Sequence, residues 1–301
     1  MAVLSLIASM ILVNILCLAL MVYQACLDKS PHIRMREKIY LSVSGFFSFI
    51  ADTLGIGSFA CNISFAKLFK TFPDEQLPAV NNGAQVLPGL LEAIFFLKII
   101  EVEWNTLITM VSGACIGGIL GGLFMCHMNK QAIRLTMMLA FSLLIALLVC
   151  HKLGLVPVSG ELVALSSWKL FIGFCGMVLC GALTSAGIGL FVMVQAVLFI
   201  LNVSPLVAFP IMTAAGALQQ PMTTLIFLKN RKIPLRKTWI ISLAGCVGVL
   251  VTIPFFTKLK AQWLHSLLLG LLIVNLISIA RNFFRQILLQ KNRMPIDRLK
   301  V

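Results

Sequence analysis

Residues 51–62 read A-D-T-L-G-I-G-S-F-A-C-N, and this stretch decides the fold because it places a carboxylate, two glycines and several hydroxyl and amide groups inside an apolar segment. Polar groups of this kind are costly in a membrane unless protein or water surrounds them. A related stretch, G-A-L-T-S-A-G-I-G-L-F-V-M-V-Q, occupies residues 181–195, and Gly57 and Gly189 in the two Gly-Ile-Gly triplets are 132 residues apart. The chain is therefore predicted to be a tandem duplication in which each copy opens with a broken membrane segment that is polar at its centre.

The composition places the bulk of the chain in lipid. Hydrophobic residues make up 60% of it and charged residues 11%, and the mean hydropathy is +1.02. Soluble globular proteins average about 45–50% apolar and about 25% charged residues. A soluble enzyme is excluded on this basis. The net charge of +14 does not indicate nucleic acid, because the basic residues fall between apolar runs rather than in one patch with interleaved aromatic residues.

The apolar runs predict an all-α polytopic membrane protein, since a bilayer core of about 30 Å needs about 20 apolar residues per helix. An extra N-terminal span lies within residues 1–26, and a basic tail, 282–301, is expected at the cytoplasmic membrane surface. Between them are two four-segment repeats, 40–150 and 164–281. Their segments are 40–70, 77–98, 105–126 and 131–150 in the first repeat, and 164–201, 204–228, 238–257 and 262–281 in the second.

The opening segment of each repeat is too long for one span, since roughly 30 and 38 residues would make about 45 and 57 Å of helix. Each is expected to break at its glycines, as two crossing half-helices or as a re-entrant hairpin. Unpaired backbone N–H groups at such a break would form an anion site. The alternative is that these glycines only let helices approach closely. We expect that role for the glycines at four-residue spacing in the third segment, namely Gly117, Gly118, Gly121 and Gly122.

The distribution of Lys and Arg predicts the orientation, because cytoplasmic loops carry an excess of positive charge. If every segment crosses the membrane, 18 basic residues lie on one side and 6 on the other; if the two long segments are hairpins, the numbers are 19 and 5. Both counts predict an N-terminus outside and a C-terminus in the cytoplasm. Hairpins would also give each repeat an odd number of crossings and make the repeats inverted, as in many secondary transporters.

Of ten acidic residues, only Asp52 and Glu92 fall within predicted spans. An ionisable residue inside a membrane segment is by default a functional candidate, and these two are predicted to couple transport to protons. For Asp52 the alternative is an N-cap of the half-helix that follows the break. For Glu92 it is a position near the interface or a structural hydrogen bond.

Hydroxyl groups, amides and break glycines of the first two segments of each repeat are the candidate anion ligands. They can donate hydrogen bonds to an oxyanion without bringing a cation into the membrane. The alternative is that they form hydrogen bonds between helices. No Cys or His spacing indicates a metal site. The candidates are Thr53, Gly55, Gly57, Ser58, Asn62, Asn81, Asn82 and Gln85 in the first repeat, and Thr184, Ser185, Gly187, Gly189, Thr213 and Gln219 in the second.

With these motifs in view, the sequence resembles the TauE/SafE sulfite-exporter family over about residues 40–281. The resemblance rests on A-D-T-L-G-I-G-S-F, on L-P-A-V-N-N-G at 77–83, and on A-L-T-S-A-G-I-G with A-F-P-I-M-T at 208–213. It implies a multi-pass transporter of sulfite and organosulfur anions in the cytoplasmic membrane of a prokaryote, without an organic cofactor.

The expected function is therefore secondary transport of a small anion such as sulfite or an organosulfonate; export and coupling to protons are hypotheses, because the sequence leaves the direction and the coupling ion open. An anion channel would share the site chemistry. An intramembrane enzyme is disfavoured because the spans contain no His-Glu-x-x-His, no Gly-x-Ser-x-Gly and no second Asp. A structural subunit would not need a polar centre in both repeats. The expected partners are the anion and the lipid bilayer; a homodimer, the particular anion and the coupling ion are left open.

Overall fold

The computed structural model describes residues 2–28, 32–153, 162–230 and 232–254, and the regular elements in these ranges are helical. The predicted last span, 262–281, and the tail, 282–301, lie outside the described residues. The helices are α1 (Ala2–Leu27), α2 (Met35–Thr53), α3 (Ser58–Phe69), α4 (Leu77–Ile99), α5 (Trp104–His127), α6 (Lys130–Lys152), α7 (Ser167–Ser185), α8 (Leu190–Ile200), α9 (Pro205–Lys229) and α10 (Leu235–Thr252).

The helices have the surface of a membrane protein. Four of them, α1, α5, α7 and α10, are long and apolar enough to span a bilayer. Large apolar side chains are exposed on their outer faces, including Leu12, Phe124 and Phe171 at 67–69%. Several polar side chains, including Asp52, Gln85 and Glu92, are buried inside instead. Helices with lipid-exposed apolar faces and a polar interior are consistent with the predicted all-α membrane protein.

Helix α1 packs on α9 where a proline interrupts the backbone hydrogen bonding of α9. Pro221 lies inside α9 and has no N–H, so the carbonyl of Ala217 one turn earlier loses its helical donor. Asn14 of α1 is fully buried and its Nδ2 donates to that carbonyl at 2.7 Å. The extra N-terminal helix therefore supplies a hydrogen bond that the backbone of α9 cannot make for itself.

Helices α2 and α3 form an antiparallel hairpin rather than one long rod. The ring of Tyr40, near the start of α2, stacks on Phe69 at the end of α3 with centroids 4.4 Å apart. Further along, Ser44 Oγ donates to Asn62 Oδ1 at 2.7 Å. Contacts that pair the start of one helix with the end of the next require the chain to reverse direction. The overlong segment 40–70 therefore turns back on itself at its glycines.

Helices α7 and α8 form a second hairpin of the same kind. A Cβ on Gly176 would lie 2.8 Å from Val197 Cγ1, and one on Gly173 would lie 3.1 Å from Leu201 Cδ1. The partner number rises as the glycine number falls, which is the signature of an antiparallel pair. The predicted break at Gly187–Gly189 is where this hairpin reverses.

Helix α5 packs on α7 and α9 through two glycine rows. Gly117 and Gly121 lie against the backbone of Val178 and Ala182 on α7, and the constant register makes the two helices parallel. On the neighbouring face, Gly118 lies against Gln219 of α9 and Gly122 against Thr223. The packing role predicted for these glycines is confirmed.

Helix α10 packs against α2 of the first hairpin, as α5 packs against α7 of the second. Gly45 of α2 lies against the backbone of Ile241, and Gly245 of α10 lies against the ring of Phe49, so α2 and α10 are also parallel. Helices α4 and α9 meet between the two hairpins. They are antiparallel, because Phe96 near the end of α4 stacks on Phe209 near the start of α9 at 5.4 Å.

Candidate functional site

The first break consists of residues 54–57 between α2 and α3. The N–H groups of Gly55 and Ile56 turn back to the carbonyls of Asp52 and Ala51 at 2.8 and 2.9 Å, which ends α2. Gly55 and Gly57 have φ angles of 85° and 93°, a region that side chains other than glycine rarely enter. The two glycines are therefore needed for the reversal itself.

The second break, residues 186–189 between α7 and α8, repeats this geometry. The N–H of Gly187 donates to Thr184 O at 2.9 Å, as that of Gly55 does to Asp52 O. Gly187 has a φ angle of 92°. Gly189 is not among the glycines with positive φ, and a Cβ there would find only the Cβ of Phe59 nearby, at 3.7 Å. Of the break glycines, Gly189 is thus the one that could accept a side chain without backbone strain.

The two breaks come together at the centre of the bundle. A Cβ on Gly189 would contact Phe59, in the first turn of α3, and one on Gly187 would lie 3.3 Å from Pro78 Cα of α4. On the other side, a Cβ on Gly55 would lie 3.2 Å from Phe209 Cζ of α9. Asn82 Nδ2 of α4 also donates to Thr184 O at 3.2 Å. Each hairpin therefore places its break against the other half of the chain.

The carboxylate of Asp52 binds the start of α3. One oxygen accepts the backbone N–H of Ser58 at 2.6 Å, and the other accepts from Gln85 Nε2 of α4. Ser58 Oγ donates to Gln85 Oε1 at 2.6 Å, which closes a ring of three side chains. Asp52 thus places a hydrogen-bond acceptor at the α3 N-terminus, although the N-cap position itself is occupied by Gly57.

Glu92 lies deep in α4, 1% exposed. Its Oε1 accepts from Thr53 Oγ1 at 2.7 Å, whereas Oε2 has no hydrogen-bond partner among the described residues. Thr53 directly follows Asp52 in the chain, so this hydrogen bond holds the Glu92 carboxyl group next to that residue. The only two acids predicted within spans are therefore neighbours at the first break.

The amides next to this carboxyl pair bind one another. Asn62 Nδ2 of α3 donates to Asn81 Oδ1 of α4 at 2.5 Å, and the Asn62 oxygen accepts from Ser44. The amide nitrogen of Asn81 has no partner among the described residues. One turn along α4, Gln85 continues the same face. The predicted first-repeat ligands are thus brought together, with most of their donors engaged within the protein.

The second-repeat candidates are more dispersed. Ser185 Oγ donates to Gly118 O at 2.9 Å, and Gln219 Nε2 donates to Thr223 Oγ1 at 2.8 Å; both belong to the packing of α5 against its neighbours. The hydroxyls of Thr184 and Thr213 donate to carbonyls of their own helices. These four side chains are buried, and the hydrogen bonds that they form lie within and between helices.

One residue at the site, Gln220, was not among the predicted ligands. A Cβ on Gly89 would lie 3.4 Å from both Gln220 Oε1 and Gln85 Nε2, so the two glutamines approach the same point on α4. Gln220 is 2% exposed, and its Oε1 is unpartnered among the described residues. The sequence signal that points to it is the adjacent pair of glutamines before Pro221, with glycine at 89 leaving room for the side chain.

The described residues contain no cluster of three or more His, Cys, Asp or Glu side chains that could hold a metal ion. Comparison with known proteins gives no family model, no curated protein and no solved structure that matches the chain. The resemblance to the TauE/SafE family stays a prediction, and the functional argument below depends on the geometry.

Proposed function

We propose that the protein is a secondary transporter that moves a small anion such as sulfite or an organosulfonate across a prokaryotic cytoplasmic membrane, with anion movement coupled to protons. The observation that carries this proposal is the meeting of two helical breaks at the centre of the bundle, each against the opposite half of the chain. Irregular backbone at membrane depth is tolerated where it lines a substrate site, and secondary transporters build their sites from such broken helices.

The helix directions support an inverted duplication. Helix α4 is antiparallel to its counterpart α9, while α5 is parallel to α7 and α10 is parallel to α2. Such a pattern arises when one repeat is the other turned over about an axis in the membrane plane. With both hairpins re-entrant, the basic residues divide 19 to 5, which assigns the open end of the α2–α3 hairpin to the cytoplasm and the N-terminus to the outside.

The N-terminus of α8 is the better anion site of the two breaks. At the α3 N-terminus the carboxylate of Asp52 already accepts the N–H of Ser58 and would repel a second anion. The residue 132 positions after Asp52 is Thr184, whose hydroxyl donates to Cys180 O, so it brings no charge to α8. The first N–H groups of α8 have no acceptor in their own helix and attract negative charge.

The carboxyl pair supplies the coupling. Two neighbouring carboxylates inside a protein repel each other strongly, so uptake of one proton by Asp52 or Glu92 relieves that repulsion. Protonation of Asp52 also removes a negative charge beside the breaks, which would lower the repulsion that an anion at the α8 N-terminus experiences. Anion and proton would enter this state together and leave it together.

The test is flux in liposomes with sulfite, sulfate, thiosulfate and several sulfonates, with and without a pH gradient. Gly189→Leu should abolish flux of the transported anion while the protein stays folded, because the side chain fills the α8 N-terminus, and Gly189→Ala should retain it. Gly57 is the poorer target because its φ of 93° strains any substitution.

Two results would contradict this proposal. Normal anion flux in the Gly189→Leu variant would show that the anion does not bind at the α8 N-terminus. Flux that external anion fails to accelerate in exchange assays would indicate a channel rather than an alternating-access transporter.

A further inference from the structure

A cavity of about 460 Å³ lies at the open end of the α2–α3 hairpin, away from the breaks. Its walls come from the first turn of α2 and the residues that follow α3, among them Arg34, Arg36, Glu37, Tyr40 and Lys70. We call this cavity the hairpin pocket. It belongs neither to the carboxyl pair nor to the α8 N-terminus.

The hairpin pocket is strongly cationic. Its one carboxylate, Glu37, is neutralised by Lys237 of α10 at 2.5 Å. Among the described residues, Arg34 and Lys70 have no acidic partner. Arg36 is held in position, because its Nε donates to Tyr40 Oη at 2.6 Å and its guanidinium lies 5.4 Å from the centroid of that ring.

Lys70 occupies a position that its residue type does not favour. It ends α3 with a φ angle of 55°, a left-handed conformation that glycine and asparagine adopt more readily than other residues. The residue 132 positions later is an asparagine: Asn202 lies two residues beyond the last residue of α8 and has a φ of 66°. A lysine at this position thus adds a charge to the pocket at a conformational cost.

The second hairpin carries less of this charge. Ser166, Trp168 and Asn202 stand 132 residues after Arg34, Arg36 and Lys70, so these three basic residues have no basic counterpart, and Lys169 is the one basic residue at the start of α7. Under the orientation proposed above, the hairpin pocket faces the cytoplasm. Anionic lipids concentrate in the cytoplasmic leaflet and attract Lys and Arg residues close to its surface.

The flank of the pocket suits an acyl chain. Ile39 and Phe47 on α2 and Leu68 on α3 are 52–70% exposed, and Leu68 also lines the pocket. Phosphate oxygens are bound well by arginine and lysine together, while these apolar side chains would contact the hydrocarbon. We propose that the hairpin pocket binds the phosphate headgroup of an anionic phospholipid at the cytoplasmic interface.

The test uses the purified full-length protein in neutral phosphatidylcholine nanodiscs titrated with phosphatidylglycerol, with thermal stability as the readout. Stability should rise with the fraction of anionic lipid. The double variant Arg34→Gln, Lys70→Asn should need roughly 30-fold more anionic lipid for the same rise, from about fivefold for each lost charge. Lys70→Asn should not destabilise the protein in neutral lipid, since asparagine suits the left-handed position, and this separates lost binding from misfolding.

The matched control is Lys98→Gln, an exposed lysine at the far end of α4, which should leave the lipid response unchanged. An unchanged response in the double variant would overturn the site. An equal stabilisation by soluble glycerol 3-phosphate would show that the pocket takes a free phosphate ester rather than a lipid. Because stability and not flux is measured, failure here is distinguishable from failure of the transport proposal.

Discussion

Asn14→Leu tests how the extra N-terminal helix is attached to the bundle. The substitution keeps the approximate size of the side chain but removes the donor to Ala217 O. Asn14 also donates to Met10 O at 2.8 Å, but that carbonyl keeps its own helical donor, so little is lost there. Ala217 O has no donor within α9, because Pro221 provides no N–H.

The expected cost is therefore that of one orphaned buried carbonyl. Such a group costs about 1–3 kcal/mol, and hydrogen bonds between membrane helices average about 0.6 and reach about 1.7 kcal/mol. We expect Asn14→Leu to lower the free energy of unfolding by about 1–2 kcal/mol. The measurement is reversible unfolding in mixed micelles with increasing SDS.

The decisive comparison is a double-mutant cycle with Pro221→Ala. Alanine at 221 restores the N–H that bonds Ala217 O within α9, so Asn14→Leu in that background should cost only a few tenths of a kcal/mol. Ser9→Leu on the exposed side of α1, where the hydroxyl bonds only its own helix, is the control and should have no effect. Equal costs of Asn14→Leu in both backgrounds would refute the explanation.

Three further predictions follow from the site and the packing. Glu92→Gln keeps an acceptor for Thr53 and should retain anion exchange in liposomes while losing the response to a pH gradient. The control is Glu101→Gln, a substitution of an exposed acid, which should behave as wild type. Preserved pH-driven flux in Glu92→Gln would exclude Glu92 as the coupling group. Gly121→Leu should lower the free energy of unfolding by about 3 kcal/mol or more, or prevent folding, because the α7 backbone lies against that position. The control is Leu120→Phe on the exposed face of α5. Equal stability of the two variants would show that α5 and α7 can move apart without loss of stability. Slight burial opposes ionisation of Glu103, but the hydrogen bonds from Thr106 and Asn105 outweigh it and lower the pKa of this carboxyl. Its capping contribution of about 1 kcal/mol should be present at neutral pH and disappear as the pH falls through the lowered pKa, and Glu103→Gln should flatten that dependence in the same micelle assay; an unaltered pH profile would contradict the cap.

The backbone of the site was largely predictable from the sequence. Helix length against bilayer thickness required a break in residues 40–70, and glycine at 55 and 57 identified where. Charge counting did not choose between a crossing segment and a hairpin, because both assign the chain ends identically and the two distributions differ by one basic residue. The choice depends on contacts such as Tyr40 with Phe69, which the pattern of apolar residues does not encode.

The side-chain chemistry was predictable only as a list of residues. Composition identifies Ser58, Asn62 and Gln85 as polar groups in an apolar segment, but not whether they bind a ligand or each other. In the structure Ser58, Gln85 and Asp52 satisfy one another. Asn14 escaped prediction because its partner, a carbonyl freed by a proline 207 positions later, becomes its neighbour only through the packing of α1 on α9.

The two breaks have similar backbone geometry but different surrounding side chains, and under the proposed function this difference bears on how transport could be driven. Leucine and valine at 190 and 194 stand 132 residues after Ser58 and Asn62, so α8 offers its N-terminus without the carboxylate and amides that surround α3. One break thus carries the titratable groups, whereas the first N–H groups of α8 have no acceptor within their own helix; Gly189, at the start of α8, lies close to Phe59 of α3. A symmetric site would bind the anion equally at either break and would give no reason for a proton to accompany it. With the charge of Asp52 confined to one side, an anion at α8 lies close to a carboxylate that repels it until that carboxylate is neutralised, and this repulsion is what would tie anion entry to proton uptake.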